Sequence, residues 1–118
     1  KFINKNSKDF YRFGEIYFSE VKKNKTKGWN IHYKHQCILA VPFGEIDFSF
    51  FNPTSKKKNI RKIVISKKNN YYIVVPPGTW FSFKSNVKLS IVTNLLSGIH
   101  DNKESDKSNI INGIKITK

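Results

Sequence analysis

A short polar series near the end of the first quarter of the chain combines residue types that can hold and move protons. Asn30, His32 and Lys34 alternate with apolar or aromatic residues in the stretch "KGWNIHYK". Alternate side chains of a β-strand share a face, so the series predicts an amide, an imidazole and an ammonium group side by side. An imidazole, with an ordinary pKa of roughly 6.5, can act as a general base near neutral pH. His32 is therefore the candidate catalytic residue, and the alternative of a hydrogen-bonded structural histidine stays open.

The elements that must position this series are short strands. Apolar and polar residues alternate in "GEIYFSEV" and "EIDFSFF", and no long window shows helical spacing. Further strands are predicted at Trp29 to His35, Cys37 to Val41, Ile60 to Ser66, Tyr71 to Val75 and Val87 to Leu95, with Gly, Pro and Asn turn markers between them. About eight short strands predict an all-β fold, an antiparallel sandwich or small barrel. We expect one domain over residues 1–118, with 101–118 as a polar tail.

The composition limits the classes of partner. No apolar run approaches the roughly 20 residues of a membrane span, so we expect no membrane partner. The formal net charge is +14, but Arg12 and Arg61 are the only arginines among 22 basic residues. Because arginine is the preferred bidentate reader of phosphates and bases, solvated lysine loops are favoured over specific nucleic-acid recognition. A lysine-rich surface that binds nucleic acid is kept as a third alternative for the function.

The methionine and cysteine content leads to expectations about the N-terminus and the cellular location. The sequence has no methionine, even at position 1, so we expect some native N-terminal sequence to be missing. The single cysteine, Cys37, cannot form an internal disulfide, which agrees with a reducing, cytoplasmic location. It precedes the apolar run "ILAV", so we predict a buried small hydrophobe and not a nucleophile.

The spacing around His32 resembles the metal-binding frame of cupin barrels with its other ligands replaced. That frame carries His-x-His, then Glu and Gly, and much later Pro-x-Gly and another His. Here Asn30 stands in place of the first histidine, Gln36 in place of the glutamate and Phe81 in place of the late histidine. One strong ligand remains, whereas stable sites use roughly three or four. We therefore predict no bound metal and no cofactor.

Several blocks, in order, resemble the sugar-nucleotide cupins, specifically the dTDP-4-dehydrorhamnose 3,5-epimerases and a branch of related proteins. The resemblance covers roughly Phe13 to Glu104 and rests on "FGEIYFS", "KGWNIHYK", the Gly44 turn, "VPPGTWFSF" and the pair His100-Asp101. It implies a small antiparallel β-barrel or jelly roll of cupin type that binds a nucleotide-linked sugar. It also implies a role in surface polysaccharide biosynthesis and a homodimer formed by strand exchange.

The resemblance further implies isomerase chemistry, with changes at the acid and the base. In the epimerases a histidine removes the proton beside a 4-keto group, and a tyrosine on the opposite ring face acts as acid. The base position falls at Asn30 here, and the region of the acid, "LSIVTNL", contains no tyrosine. Related sugar 3,4-ketoisomerases instead place a second histidine at the position of His32 and a lysine at Lys34. Proton transfer through His32 therefore remains open.

Substrate contacts are expected from five residues. Lys27 occupies the place of an arginine that meets the nucleotide diphosphate in the family, and the others are Tyr17, Asn30, Lys34 and Gln36. Trp80 is predicted to be a core or rim residue, and His100 is a minor candidate for a functional group. The main alternative function is a non-catalytic module that binds a carbohydrate or nucleotide sugar and retains the fold.

Overall fold

The chain folds into short β-strands. The computed structural model describes residues 3–54, 59–69, 71–99, 103–108, 110–111 and 114–115. Within these ranges the strands are β1 (Glu15–Lys22), β2 (Thr26–His32), β3 (Cys37–Phe43), β4 (Glu45–Phe51), β5 (Arg61–Ser66), β6 (Ile73–Val75), β7 (Trp80–Ser85), β8 (Leu89–Leu96), β9 (Ser105–Lys107), β10 (Ile110–Ile111) and β11 (Ile114–Lys115). The candidate His100 lies outside the described residues. No helix long and apolar enough to cross a membrane is found in the described ranges.

The strands form two large antiparallel sheets that face each other. The order is β1-β8-β3-β6 in the four-stranded sheet and β5-β4-β7-β2-β9 in the five-stranded sheet. A separate two-stranded sheet joins β10 and β11. Consecutive strands therefore often lie in different sheets, and the chain crosses from one sheet to the other between β2 and β3 and between β3 and β4. The all-β fold predicted from the alternation is confirmed.

The hydrophobic core fills the space between the two large sheets. Aromatic rings of β4 and β7 supply one side, with Phe48 and Phe83 centroids 5.8 Å apart and Phe81 and Phe83 centroids 6.4 Å apart. Alternate residues of the four-stranded sheet cover them: Val21, Cys37, Leu39, Val41, Val75, Val92 and Leu96. Burial raises the pKa of the Cys37 thiol to about 12. The prediction that this cysteine is a buried core residue is confirmed.

The strand predictions differ from the structure in four main respects. β2 ends at His32 and does not reach His35, because the chain leaves the five-stranded sheet there to enter β3 of the other sheet. β7 was missed because its aromatic residues directly follow the turn sequence Pro76-Pro77-Gly78. β9 lies in the predicted polar tail, since it joins the sheet through backbone pairing with β2 and needs no apolar pattern. The predicted strand from Tyr71 shortens to β6.

The connection between β3 and β4 is a tight turn at Gly44. Its φ of 90° lies in the left-handed region that glycine adopts without steric cost. Ser90 closes the turn from the side: its hydroxyl accepts a hydrogen bond from the Glu45 backbone N–H at 3.0 Å and lies 2.7 Å from the Ser85 hydroxyl. A Cβ at Gly44 would overlap the Ser90 hydroxyl and lie 2.8 Å from the Leu89 carbonyl oxygen.

We expect Gly44→Ala to destabilise the fold more than Gly78→Ala. Gly78 has a similar φ of 82°, but a Cβ there meets no atom within 4 Å. Both changes incur roughly 1 to 2 kcal/mol of backbone strain, and the overlap with Ser90 adds about 2 kcal/mol at Gly44 alone. Urea unfolding followed by tryptophan fluorescence gives the two free energies. Equal free energies for the two variants would contradict the packing of Ser90 against Gly44.

Candidate active site

A cavity of about 510 Å³ lies between the two large sheets. β1 and β8 contribute one wall, while β2, β7 and β9 contribute the other. Four of the residues predicted from the sequence line it together: Tyr17, Lys27, Asn30 and His32. Its volume falls in the range of roughly 300 to 1000 Å³ that is usual for small-molecule sites. The fold therefore gathers the main candidate residues around one space.

A bulge in β2 brings Lys27 into this set. Lys27 pairs with Phe83 and Asn30 pairs with Phe81, so three steps along β2 match two steps along β7. In a regular strand Lys27 and Asn30 would point to opposite faces, and the extra residue places both on the cavity side. Gly28 lies within the bulge with a φ of 124°, and a Cβ there would come within 2.6 Å of Ser82 Cβ. Glycine at this position thus permits the bulge.

His32 forms a buried pair with a carboxylate. Its Nδ1 lies 2.7 Å from Oε2 of Glu104, and the two side chains are 6% and 0% exposed. A carboxylate accepts hydrogen bonds, so this partner assigns the proton to Nδ1 and the basic lone pair to Nε2. The carboxylate also stabilises the imidazolium that forms when Nε2 takes up a proton. The arrangement is that of an oriented general base.

Backbone pairing holds Glu104 in place. The N–H of Tyr33 donates to the Glu104 carbonyl at 2.6 Å, and the next residue, Ser105, is the register partner of His32. Lys107, on the same strand, pairs with Asn30 and also lines the cavity. The sequence analysis missed Glu104 and Lys107, because the polar tail lacks the alternation of apolar and polar residues that predicts a strand. The one available hint was that the tail contains isolated isoleucines after these residues.

The aromatic ring next to His32 occupies the place of a metal ligand in the cupin frame. The Phe81 ring stacks beside the imidazole with centroids 6.4 Å apart. Phe81 is 2% exposed and belongs to the hydrophobic core. Across the part of the chain that the structure describes, no group of three or more His, Cys, Asp or Glu residues is placed to hold a metal ion.

Tyr17 lies on the opposite wall from His32. It belongs to β1, and Asn94 of β8 is its register partner. The Asn94 amide Nδ2 donates to the Tyr17 hydroxyl oxygen at 2.9 Å. Burial, together with the nearby Cys37, raises the pKa of Tyr17 to about 12. The phenol is therefore protonated at neutral pH and can donate a hydrogen bond or a proton into the cavity.

The remaining predicted residues do not line this cavity. Lys34 is exposed and lies beyond the end of β2, so the prediction that it shares a strand face with Asn30 and His32 was wrong. The Gln36 amide Nε2 instead donates to the Asp9 carbonyl at 3.2 Å. Both residues sit in the segment that crosses between the sheets. Trp80 packs with Trp29 and Phe51 in a second hydrophobic cluster, which confirms its prediction as a core or rim residue.

Solved structures with this fold include enzymes that act on nucleotide-linked sugars. A dTDP sugar isomerase from Desulfovibrio desulfuricans G20 superposes with a TM-score of 0.85 and 27% identity, over 92% of this chain and 72% of that one. The chain has the cupin fold of the dTDP-sugar epimerases and isomerases. The resemblance drawn from the sequence blocks is confirmed by this comparison.

Two more distant structures show the same cupin fold. A dTDP-4-dehydrorhamnose 3,5-epimerase from Elizabethkingia anophelis NUHP1 has a TM-score of 0.74 at 10% identity, covering 83% of this chain and 57% of that one. A sugar 3,4-ketoisomerase from Thermoanaerobacterium thermosaccharolyticum, in complex with TDP, has a TM-score of 0.69 at 17% identity, covering 80% and 66%. The chain thus spans 57% to 72% of the length of these three proteins. No family model and no curated protein matches the sequence.

Proposed function

We propose that the protein is a metal-independent epimerase or isomerase that acts on a 4-keto sugar linked to a nucleotide, with His32 as its base. The buried pair of His32 and Glu104 in the wall of a sugar-sized cavity carries this proposal. A structural histidine requires no such cavity, and a binding module requires no buried carboxylate behind its imidazole. The similarity to a dTDP sugar isomerase supports the substrate class.

The proposed reaction starts from the acidity that a ketone gives to neighbouring C–H bonds. The lone pair on Nε2 of His32 takes a proton from a ring carbon beside the ketone, and Glu104 stabilises the imidazolium. The electron pair of the broken C–H bond moves onto the ketone oxygen and forms an enolate. Lys27 and Lys107 line the same cavity, so their positive charges favour the enolate and the diphosphate. Return of a proton to carbon completes the isomerisation.

The sugar ring is placed by the polar residues of the cavity. Asn30 offers an amide beside His32, and Tyr17 offers a hydroxyl from the facing wall. The contacts predicted for Lys34 and Gln36 remain predictions, and in this proposal neither reaches the ring, because both lie outside the cavity. A role in surface polysaccharide synthesis and a cytoplasmic location also remain parts of the proposal.

We further propose that the protein is a homodimer formed through the outer face of β1. Ile16 and Phe18 point away from the cavity and are 47% and 67% exposed. β1 is also an edge strand of the four-stranded sheet in the part of the chain that is described. An exposed apolar face on an edge strand favours association with another copy, including the predicted exchange of strands.

The dimer is tested by placing a charge on this face. We expect Phe18→Glu to give a monomer, because twofold symmetry brings two unpaired carboxylates into one apolar interface. Tyr71→Glu is the control, since Tyr71 is 65% exposed on another part of the surface and its variant should stay dimeric. Sedimentation equilibrium gives the masses. A monomeric parent, or a dimeric Phe18→Glu protein, would contradict the proposed interface.

The catalytic proposal is tested by incubating the protein in heavy water with dTDP-4-keto-6-deoxyglucose. We expect deuterium to enter a ring carbon beside the ketone, as followed by proton NMR. His32→Gln should slow this entry by at least about 100-fold, because loss of a general base has effects of about 10² to 10⁴. Glu104→Gln should also slow it, because an amide cannot stabilise the imidazolium as a carboxylate does.

His35→Gln provides the matched control for these variants. His35 bonds the Ile99 carbonyl through Nε2 at 3.2 Å and does not line the cavity, so the rate of exchange should stay at the parent level. Exchange by His32→Gln at the parent rate would show that His32 is not the base. A parent protein that binds the nucleotide sugar without any exchange would identify the alternative, a non-catalytic binding module.

A further inference from the structure

We propose that one end of the two facing sheets docks onto an anionic lipid membrane, through lysines that meet the headgroups and an apolar cleft around Phe43. This surface lies outside the candidate active site, and its role is independent of the proposed catalysis. It is built where four turns meet: those between β1 and β2, β3 and β4, β5 and β6, and β7 and β8.

Hydrogen bonds join the four turns into one surface. The Lys23 N–H donates to the Lys88 carbonyl at 3.2 Å, and the Asn86 N–H donates to the Glu45 carbonyl at 3.0 Å. Ser66, where β5 ends, is the register partner of Glu45, where β4 begins. Backbone pairing therefore sets the positions of the turns relative to one another.

Three of the four turns, with the strand end before the first of them, bring lysines to this end. Two glutamates lie among them, Glu20 and Glu45, and Asn86 Nδ2 already donates to Oε2 of Glu45 at 3.0 Å. The lysines are exposed, and none of them forms an ion pair with a described residue. Unpaired ammonium groups on one surface produce a positive potential that attracts an anionic partner. We call this surface the basic end, and its lysines are Lys22, Lys23, Lys25, Lys67, Lys68 and Lys88.

The fourth turn, at Gly44, adds an exposed aromatic ring to the basic end. Phe43 is 57% exposed, and it lines a cleft of about 1070 Å³ together with Pro42, Val87 and Leu89. Four of the six lysines line the same cleft. An apolar floor with an ammonium rim suits the boundary between headgroups and acyl chains, where the ring is buried and the lysine stems extend to the phosphates.

The type of cation favours a lipid surface over a nucleic acid or an acidic protein segment. Neither arginine of the chain lies at the basic end, because Arg12 precedes β1 and Arg61 begins β5. Arginine is preferred where a planar fork reads a single phosphate or carboxylate, whereas lysine acts as a point charge. Lysines near an anionic membrane are attracted without a fixed geometry. Lysines spread over three turns therefore match an extended anionic surface better than one bound group.

Docking of this kind needs no spanning segment. The expectation of no membrane partner rested on the length of the apolar runs, and that length bears on spanning alone. Contact at the surface is therefore compatible with the finding that no helix of the described ranges is suited to cross a membrane. We replace the expectation for surface contact only.

The test is cosedimentation with vesicles of phosphatidylglycerol and phosphatidylcholine, with pure phosphatidylcholine vesicles as the reference. We expect the parent to bind the anionic vesicles only, and added salt to weaken the binding because it screens the lysines. The double variant Lys67→Glu, Lys68→Glu should bind at least about 30-fold more weakly, as expected for the loss of two lysine contacts. Phe43→Ser should bind about tenfold more weakly, because less apolar surface is buried.

The double variant Lys5→Glu, Lys8→Glu is the matched control, because it makes the same change in net charge at the other end. The Asp9 carbonyl, next to Lys8, accepts a hydrogen bond from Gln36, which precedes the start of β3. This variant should bind within about threefold of the parent, since charges farther away than a Debye length are largely screened.

Circular dichroism and sedimentation equilibrium check that each variant keeps the fold and the mass of the parent. If Phe43→Ser fails this check, the exposed pair Lys67 and Lys68 carries the test. Four results would overturn the docking surface: a parent that does not bind the anionic vesicles, equal losses in the two double variants, a folded Phe43→Ser protein that binds like the parent, or release of the protein from the vesicles by oligothymidylate or polyglutamate at equal charge concentration. The last result would identify a nucleic acid or an acidic protein segment as the partner.

Discussion

The buried contact between His32 and Glu104 is the interaction on which the cavity depends. Removing one partner of a buried pair typically costs roughly 3 to 5 kcal/mol, because the other polar group is left without compensation. The two side chains therefore need accurate placement, His32 at the end of β2 and Glu104 directly before β9. β2 supplies the imidazole, and the ladder between β2 and β9 supplies the carboxylate from a segment 72 residues further along the chain. Without this pairing His32 would lose its carboxylate partner, and the cavity would lose Lys107.

The two-sheet architecture turns this contact into a site with two chemically different walls. The five-stranded sheet carries the imidazole proposed as the base and two lysines, and the four-stranded sheet carries a protonated phenol held by an amide. The bulge at Gly28 is the local device that adds Lys27 to the first wall. Because each wall is a rigid ladder of backbone hydrogen bonds, the spacing of the groups is fixed before a ligand enters. Such preorganisation is what proton transfer at carbon requires.

The sequence predicted the features that depend on local patterns. Alternation in β1 and β4 indicated strands, and the block around His32 indicated both the candidate base and the cupin resemblance. Lys34 was misplaced because alternation alone does not show where a chain must leave one sheet for the other. The bulge at Gly28 escaped prediction for the same reason, since an extra residue is defined by the partner strand and not by the strand itself. Glu104 could not be found, because its pairing with His32 exists only in three dimensions.

The most direct test of the central claim is whether a nucleotide sugar enters the cavity beside His32. A titration with dTDP-glucose, which lacks the keto group and cannot react, can be followed by proton–carbon correlation NMR of the imidazole Cε1–H groups. The variants His32→Gln and His35→Gln assign the resonances. The account predicts a saturable shift of the His32 resonance with no shift at His35. A His32 resonance that stays unchanged while dTDP-glucose binds, or a protein that does not bind dTDP-glucose at all, would contradict it.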